Sequence, residues 1–204
     1  RIVELLRPRY RVELVGKSFG VVKVGNWLDI NIPRRESKYG VGHTGFTIET
    51  DPDMTPLEAT GRRDFTINAI GLLGDGTLYD PFGGFDDLRR GLLRATTDAF
   101  CEDPLRVLRG MQFAGRFGFA MEEKTVAMCR DMIDEFAALS AERVWEEWHK
   151  WAAKSRYPSR GLQTLIDTGW IENFPELAAL RGLQQHHVWH PEGDVLTHTM
   201  FCVD

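Results

Sequence analysis

Two residues about one helical turn apart, Asp103 and Arg106, carry complementary hydrogen-bonding chemistry, because an ionised Asp only accepts and an Arg only donates. Side by side they can meet a donor and an acceptor on one edge of a planar ligand. The pairing edges of cytosine and adenine have that form, an exocyclic amine beside a ring-nitrogen acceptor. Uracil and guanine put a carbonyl oxygen where the amine stands, and a carboxylate facing that oxygen is repelled, so the pair could select C and A and refuse U and G. Spacing alone favours a plainer arrangement, a capped helix with a solvated Glu102–Arg106 pair at i, i+4 worth about 0.2–0.5 kcal/mol.

A second constellation is Arg63, Asp64 and Asn68: a donor fork, an acceptor and a neutral amide, able to hold sugar hydroxyls or a phosphate oxygen. A strand end with a surface Arg–Asp pair fits the same residues. Arg89, Arg90, Arg94, Arg106, Arg109 and Arg116 crowd a short interval, suited either to phosphates or to solvated helix faces. Arg34, Arg35 and Lys38 could approach a triphosphate or an RNA backbone, or be ordinary loop charges. Asp29 falls on the polar side of an alternating run, Trp27 to Ile32. A lone His43 is given no role.

These groups need elements to position them. Asp103 suits an N-cap and Pro104 the first helical position; Leu105, Leu108 and Met111 then form an apolar stripe, with Glu102, Arg106, Arg109 and Phe113 on a charged face. Residues 11–16, 20–24 and 27–32 read as strands. The stretch 33–45, rich in glycine and charge, reads as a loop, and 49–61 as a second polar stretch. Gly74-Asp75-Gly76 marks a hairpin turn. Near Gly84 the apolar pattern changes from period two to helical, a first domain boundary, and 86–91, 124–136, 142–153 and 161–167 read as helices. Trp145, Trp148 and Trp151 at three-residue steps are expected to line the core.

With 204 residues, 43% of them hydrophobic, the chain can bury a core and is expected to span more than one small domain. A net charge of −5 argues against a uniformly basic surface but leaves local patches open. No apolar run approaches a membrane span and no signal-peptide pattern opens the chain, so the cytoplasm is the default and no membrane partner is expected. Three cysteines without paired spacing indicate neither a disulfide framework nor a zinc site. The absence of an initiator Met and a stop within the apolar run at Phe201 suggest a fragment. No feature specifies an oligomeric state.

Three motifs in order resemble one family. Glu102-Asp103-Pro104-Leu105-Arg106-Val107-Leu108-Arg109 with Phe113-Ala114-Gly115-Arg116-Phe117-Gly118-Phe119 resembles the nucleobase-reading motif of class II tRNA nucleotidyltransferases. That family comprises CCA-adding enzymes, CC-adding and A-adding relatives and bacterial poly(A) polymerases. Arg62-Arg63-Asp64-Phe65-Thr66-Ile67-Asn68-Ala69 resembles its ribose-recognition segment, and Tyr79-Asp80-Pro81-Phe82-Gly83-Gly84-Phe85-Asp86-Asp87-Leu88 its connector between head and neck.

The resemblance implies an α+β fold: a polymerase-β-like nucleotidyltransferase head with a mixed or antiparallel sheet (1–83, N-terminally incomplete), an all-α neck with the base-reading helix (84–154) and the start of a helical body (155–204). It implies addition of C and/or A to the tRNA 3′ end from CTP and ATP with Mg²⁺. Asp103, Arg106 and Arg109 would bind the base-bearing nucleotide, Arg63, Asp64 and Asn68 its sugar, and Arg34, Arg35, Lys38 and Arg116 RNA or phosphates. The family's Asp-x-Asp carboxylates find no match before Asp29, leaving Asp29 as a third metal carboxylate. Residues 186–199 resemble the opening of an HD-type phosphohydrolase domain, with His198 as first metal ligand and the remaining ligands absent. The same motifs admit poly(A) synthesis, an inactive nucleotide- or RNA-binding module, or a phosphohydrolase fragment.

Overall fold

The computed structural model describes residues 2–15, 21–31, 34–38, 46–51 and 53–204, with the backbone alone for 34–38 and 46–50. Contacts divide the chain into two compact units, 1–59 and 60–204. The boundaries expected at 83/84 and 154/155 both fall inside the second unit.

In the first unit, helix α1 (Ile2–Leu6) precedes an antiparallel meander of β1 (Val12–Val15), β2 (Val21–Val24) and β3 (Leu28–Asn31). The central strand alternates as a half-buried strand should: Val22 and Val24 are buried and Lys23 is exposed. Downstream, the stretch expected to be a loop instead contains β4 (Arg34–Lys38), paired antiparallel with β5 (Phe46–Thr50). A strand ladder is built from main-chain N–H and C=O groups, so a charged segment can pair without an apolar pattern to announce it. The second polar stretch is also ordered by local chemistry. Thr55 and Glu58 form a reciprocal capping box, Thr55 N–H donating to Glu58 Oε2 (2.9 Å) and Glu58 N–H to Thr55 Oγ1 (3.3 Å), which starts helix α2 (Pro56–Gly61).

In the second unit, β6 (Gly71–Leu72) and β7 (Leu78–Tyr79) form the expected hairpin, its turn closed by Thr77 N–H donating to Asp75 Oδ1 (2.9 Å). Asp80 then receives the first amides of helix α3 (Gly84–Arg90), Gly84 N–H at 2.7 Å and Phe85 N–H at 2.8 Å. A side chain at Gly84 would overlap the Thr66 carbonyl, so this junction requires glycine. Strand β8 (Leu92–Leu93) pairs in parallel with β9 (Ala120–Met121), and between them runs the central helix α4 (Leu105–Phe117).

Around α4 pack α5 (Glu123–Asp131), α6 (Ala141–Lys154) and α7 (Pro158–Thr168), followed by the short α8 (Pro175–Ala178) and α9 (Val195–Val203). Helix α4 buries Leu105, Val107, Leu108, Met111 and Ala114 in a core shared with Phe65, Leu93, Phe100, Leu165, Trp170 and Ile171. Helix α7 lies close against it because Gly161 has no side chain: a Cβ there would stand 2.8 Å from the Met111 carbonyl oxygen. The α+β organisation, strands first and helices after, is the one expected.

Two helical expectations need correction. The run 124–136 is broken after Asp131 and continues as a 3-10 turn, Ile133–Ala138. The tryptophan stripe is not uniformly core: Trp148 and Trp151 pack edge to face at 5.3 Å, but Trp145 is exposed. Three-residue steps on a 3.6-residue helix drift by about 60° each, so six residues carry a side chain off the buried face.

A candidate nucleotide-reading site on the central helix

The start of α4 is organised by the acid that the sequence marks as its cap. Asp103 Oδ1 accepts from the Leu105 N–H (3.1 Å), and the extended Asp103 backbone hands over to Pro104, already helical. The charged face of the helix is not solvated as a bare spacing argument suggests. Glu102 pairs with Arg62 (3.0 Å), leaving Arg106 to reach Ala99 O through Nη1 (2.6 Å) and Arg62 O through Nη2 (2.8 Å). In place of the expected Glu102–Arg106 pair, both residues contact Arg62, 40 or more positions earlier, and Arg106 also reaches the nearby Ala99 carbonyl.

One turn on, Arg109 donates to Asp64 Oδ2 from Nε (2.7 Å), its Nη2 lies in ion-pair contact 2.7 Å from the same oxygen, and its guanidinium lies 5.2 Å from the Phe113 ring centroid. The other Asp64 oxygen accepts from Phe65 N–H (2.8 Å) and Asn68 Nδ2 (2.9 Å). Burial pushes the Asp64 carboxyl pKa upward; the positive charge of Arg109 and the hydrogen bonds from Asn68, Phe65 and Arg109 outweigh it and hold the group below the usual carboxylate value. A carboxylate has about four acceptor positions. Asp64, expected to accept from a sugar hydroxyl, has both oxygens engaged by these three partners, and in this structure it is the knot between two segments.

Arg62, Asp64, Arg106 and Arg109 therefore bind the 62–68 segment to the first half of α4 as one unit. Asn68 is exposed beside it, and Arg63 is exposed with no side-chain partner among the described residues. Asp103 Oδ2 accepts from Arg143 Nη2 at 2.7 Å, a residue of α6 that motif reading missed; nothing local to either residue signals a contact 40 positions apart. Arg116 is exposed against the Phe117 ring, 5.0 Å from its centroid, at the far end of α4 from Asp103.

The side chains of Arg34, Arg35 and Lys38, and all of His43, lie outside the described residues. Asp29 lies in the first unit, exposed on β3 in register with Lys23. A single exposed carboxylate opposite a lysine does not make a Mg²⁺ site, which takes carboxylates in combination. Among the described residues, one set of three side chains brings ligating atoms together, within 4.8 Å of one another: His190, Glu192 and His198. His190 Nδ1 stands 3.3 Å from Glu192 Oε1, His198 Nδ1 bonds the same oxygen, and Cys202 Sγ is 3.3 Å from His198 Nε2. Two imidazoles and a carboxylate suit a borderline transition metal better than Mg²⁺.

The chain is similar in sequence and fold to known proteins. The profile of the "Poly A polymerase head domain" matches residues 9–94, and that of the "probable RNA and SrmB-binding site of polymerase A" matches residues 118–180. The multifunctional CCA protein of Chromobacterium violaceum is 43% identical over 205 residues, covering 98% of this chain and 50% of that protein. That of Nitrosococcus oceani is 42% identical over 200 residues, covering 96% and 48%. The chain thus spans about half the length of the curated relatives it matches. Among solved structures, an apo form of a CCA-adding enzyme superposes with a TM-score of 0.67 at 25% identity, over 84% of this chain and 41% of that one. The Bacillus stearothermophilus CCA-adding enzyme in complex with CTP superposes with a TM-score of 0.63 at 28% identity, over 78% and 39%.

Proposed function

Because the chain belongs to the class II tRNA nucleotidyltransferase and poly(A) polymerase family, we propose that the protein adds C and A to the 3′ end of tRNA, without a template, from CTP and ATP. The observation that carries the reading is the arginine-linked union of the 62–68 segment with the start of α4. A nucleotide presents its sugar and its base a fixed distance apart, and a protein that selects the base without a template must hold both from one rigid support. Here Asp103 and Arg106 read the base edge. Asp103 has acceptor positions beyond the two that Leu105 and Arg143 engage, and it accepts from an exocyclic amine while repelling a carbonyl oxygen.

With both Asp64 oxygens engaged and Arg109 committed to it, both residues act by fixing the geometry, and the sugar falls to Arg63 and the Asn68 amide oxygen. Arg116, Arg34, Arg35 and Lys38 are assigned to the RNA backbone. The protein works in the cytoplasm in this reading; among the described residues no helix is long and apolar enough to cross a membrane. Catalysis of this kind is positioning and charge neutralisation rather than covalent chemistry. The divalent cations such a transfer takes, Mg²⁺ in our assignment, find no carboxylate set among the described residues, and no step assigned to this chain passes through them.

The test is nucleotide incorporation by the whole protein, with Mg²⁺ and tRNA ending before the tail, after CC, or lacking only the last A, each labelled NTP being offered separately. Incorporation of C and then A is the expected result. C alone or A alone identifies a CC-adding or A-adding enzyme, and long A tails on unrelated RNA a poly(A) polymerase. ATP binding without incorporation overturns the enzymatic reading in favour of a binding module, and phosphate release without incorporation favours a phosphohydrolase.

A further inference from the structure

We propose that Arg143 is a specificity-positioning residue: it aims the Asp103 carboxylate and through it sets the preference for nucleobases that carry an exocyclic amine beside a ring-nitrogen acceptor. The inference rests on the base-reading assignment above and extends it to a helix that contributes no residue to the recognised motifs.

A carboxylate held through one oxygen can turn about its Cβ–Cγ bond, for which the torsional preference is broad. The cap to Leu105 N–H holds Oδ1 only. Arg143 supplies the second point, 2.7 Å from Oδ2, and two donors on two oxygens fix the plane and the direction of the acceptor positions left over. Arg106 is held separately, by the Ala99 and Arg62 carbonyls, so the two halves of the base-reading pair are aimed by different partners. Discrimination between an amine and a carbonyl at one position depends on that aim, because a carboxylate turned aside neither accepts from the one nor repels the other.

Arg143 is itself well placed for the task. It lies in the first turn of α6, where its N–H donates to the capping Ser140 Oγ (3.4 Å), and α6 packs along α4. The Arg143 and Asp103 side chains are 37% and 31% exposed, so the pair is open enough to meet a ligand and sheltered enough to hold its geometry.

The test compares Arg143→Ala, Arg143→Lys, Asp103→Ala and the double Ala variant in the whole protein, reading kcat and KM for each of the four NTPs and a melting temperature for each variant. Arg143→Ala is expected to lower the preference for ATP and CTP over UTP and GTP roughly fivefold, the size of a partly exposed ion pair. The cognate loss should appear in KM with kcat largely kept. Arg143→Lys should recover part of the preference, and in the Asp103→Ala background the Arg143 change should have no further effect. If Asp103→Ala relaxes the preference and Arg143→Ala does not, the positioning role is wrong while base reading stands. If neither changes it, base reading itself fails. An equal loss of activity on all four NTPs with a lowered melting temperature makes Arg143 merely structural and overturns the proposal.

Discussion

Replacing Asp64 by Asn tests the knot that joins the 62–68 segment to α4. The Asn oxygen can keep accepting from Phe65 N–H and Asn68, but its NH₂ then faces the Arg109 guanidinium, so an attraction becomes donor against donor. Breaking a fully buried pair costs about 3–5 kcal/mol and losing an exposed one about 0–1 kcal/mol. Asp64 is 7% exposed and Arg109 34%, which puts this pair between those limits. We expect a loss of about 2–3 kcal/mol at pH 7, or about 5–10 °C in Tm for a chain of this size.

The pH dependence has a definite sign. The folded-state pKa of Asp64 lies below its unfolded value of about 3.9, so its contribution is fully present above that value and is lost as the pH falls through the folded one. Urea melts of wild type and variant, from pH 7 down to pH 3, should give curves separated by a constant amount until about pH 4 and converging below it. Equal stability at pH 7 within about 0.5 kcal/mol, or a gap that widens in acid, would refute the reasoning.

Two further outcomes are expected. Gly161→Ala should destabilise by about 1–3 kcal/mol, because the new methyl meets the Met111 carbonyl and the Trp151 ring; an unchanged denaturation midpoint would deny the close approach of α7 to α4. A thiol reagent at pH 8 followed by peptide mapping should label exposed Cys202 quickly. Cys129, whose pKa burial pushes up to about 12, should react only after unfolding, and its labelling in the native state would contradict its place in the core.

What was legible in the sequence was what short-range chemistry writes. The Asp103 cap, the Pro104 start, the apolar stripe of α4 and the Gly74-Asp75-Gly76 turn all depend on residues within a few positions of one another. The partners of the charged face were not legible. Glu102 and Arg106 satisfy the i, i+4 rule, yet Glu102 finds Arg62 and Arg106 finds two carbonyls, because packing offers arginine better-formed acceptors than a neighbouring turn does. Asp64 read as an available acceptor because sequence reports an acid but not the donors gathered round it. The ribbon of β4 and β5 went unread for a related reason: main-chain pairing carries no side-chain signature, and glycines and charges are what loops also use.

The distances along the chain at which the candidate site is tied together bear on how it comes to exist. Arg62–Glu102, Arg62–Arg106, Asp64–Arg109 and Asp103–Arg143 join residues 40 to 45 positions apart. Helix α4 can begin to form from its own residues, but closing loops of that length costs entropy before any of these links returns it. During synthesis, Asp103 leaves the ribosome well before the helix that steadies it. The candidate site is therefore complete only once α6 has formed and packed on α4, since the Asp103–Arg143 link comes from that helix.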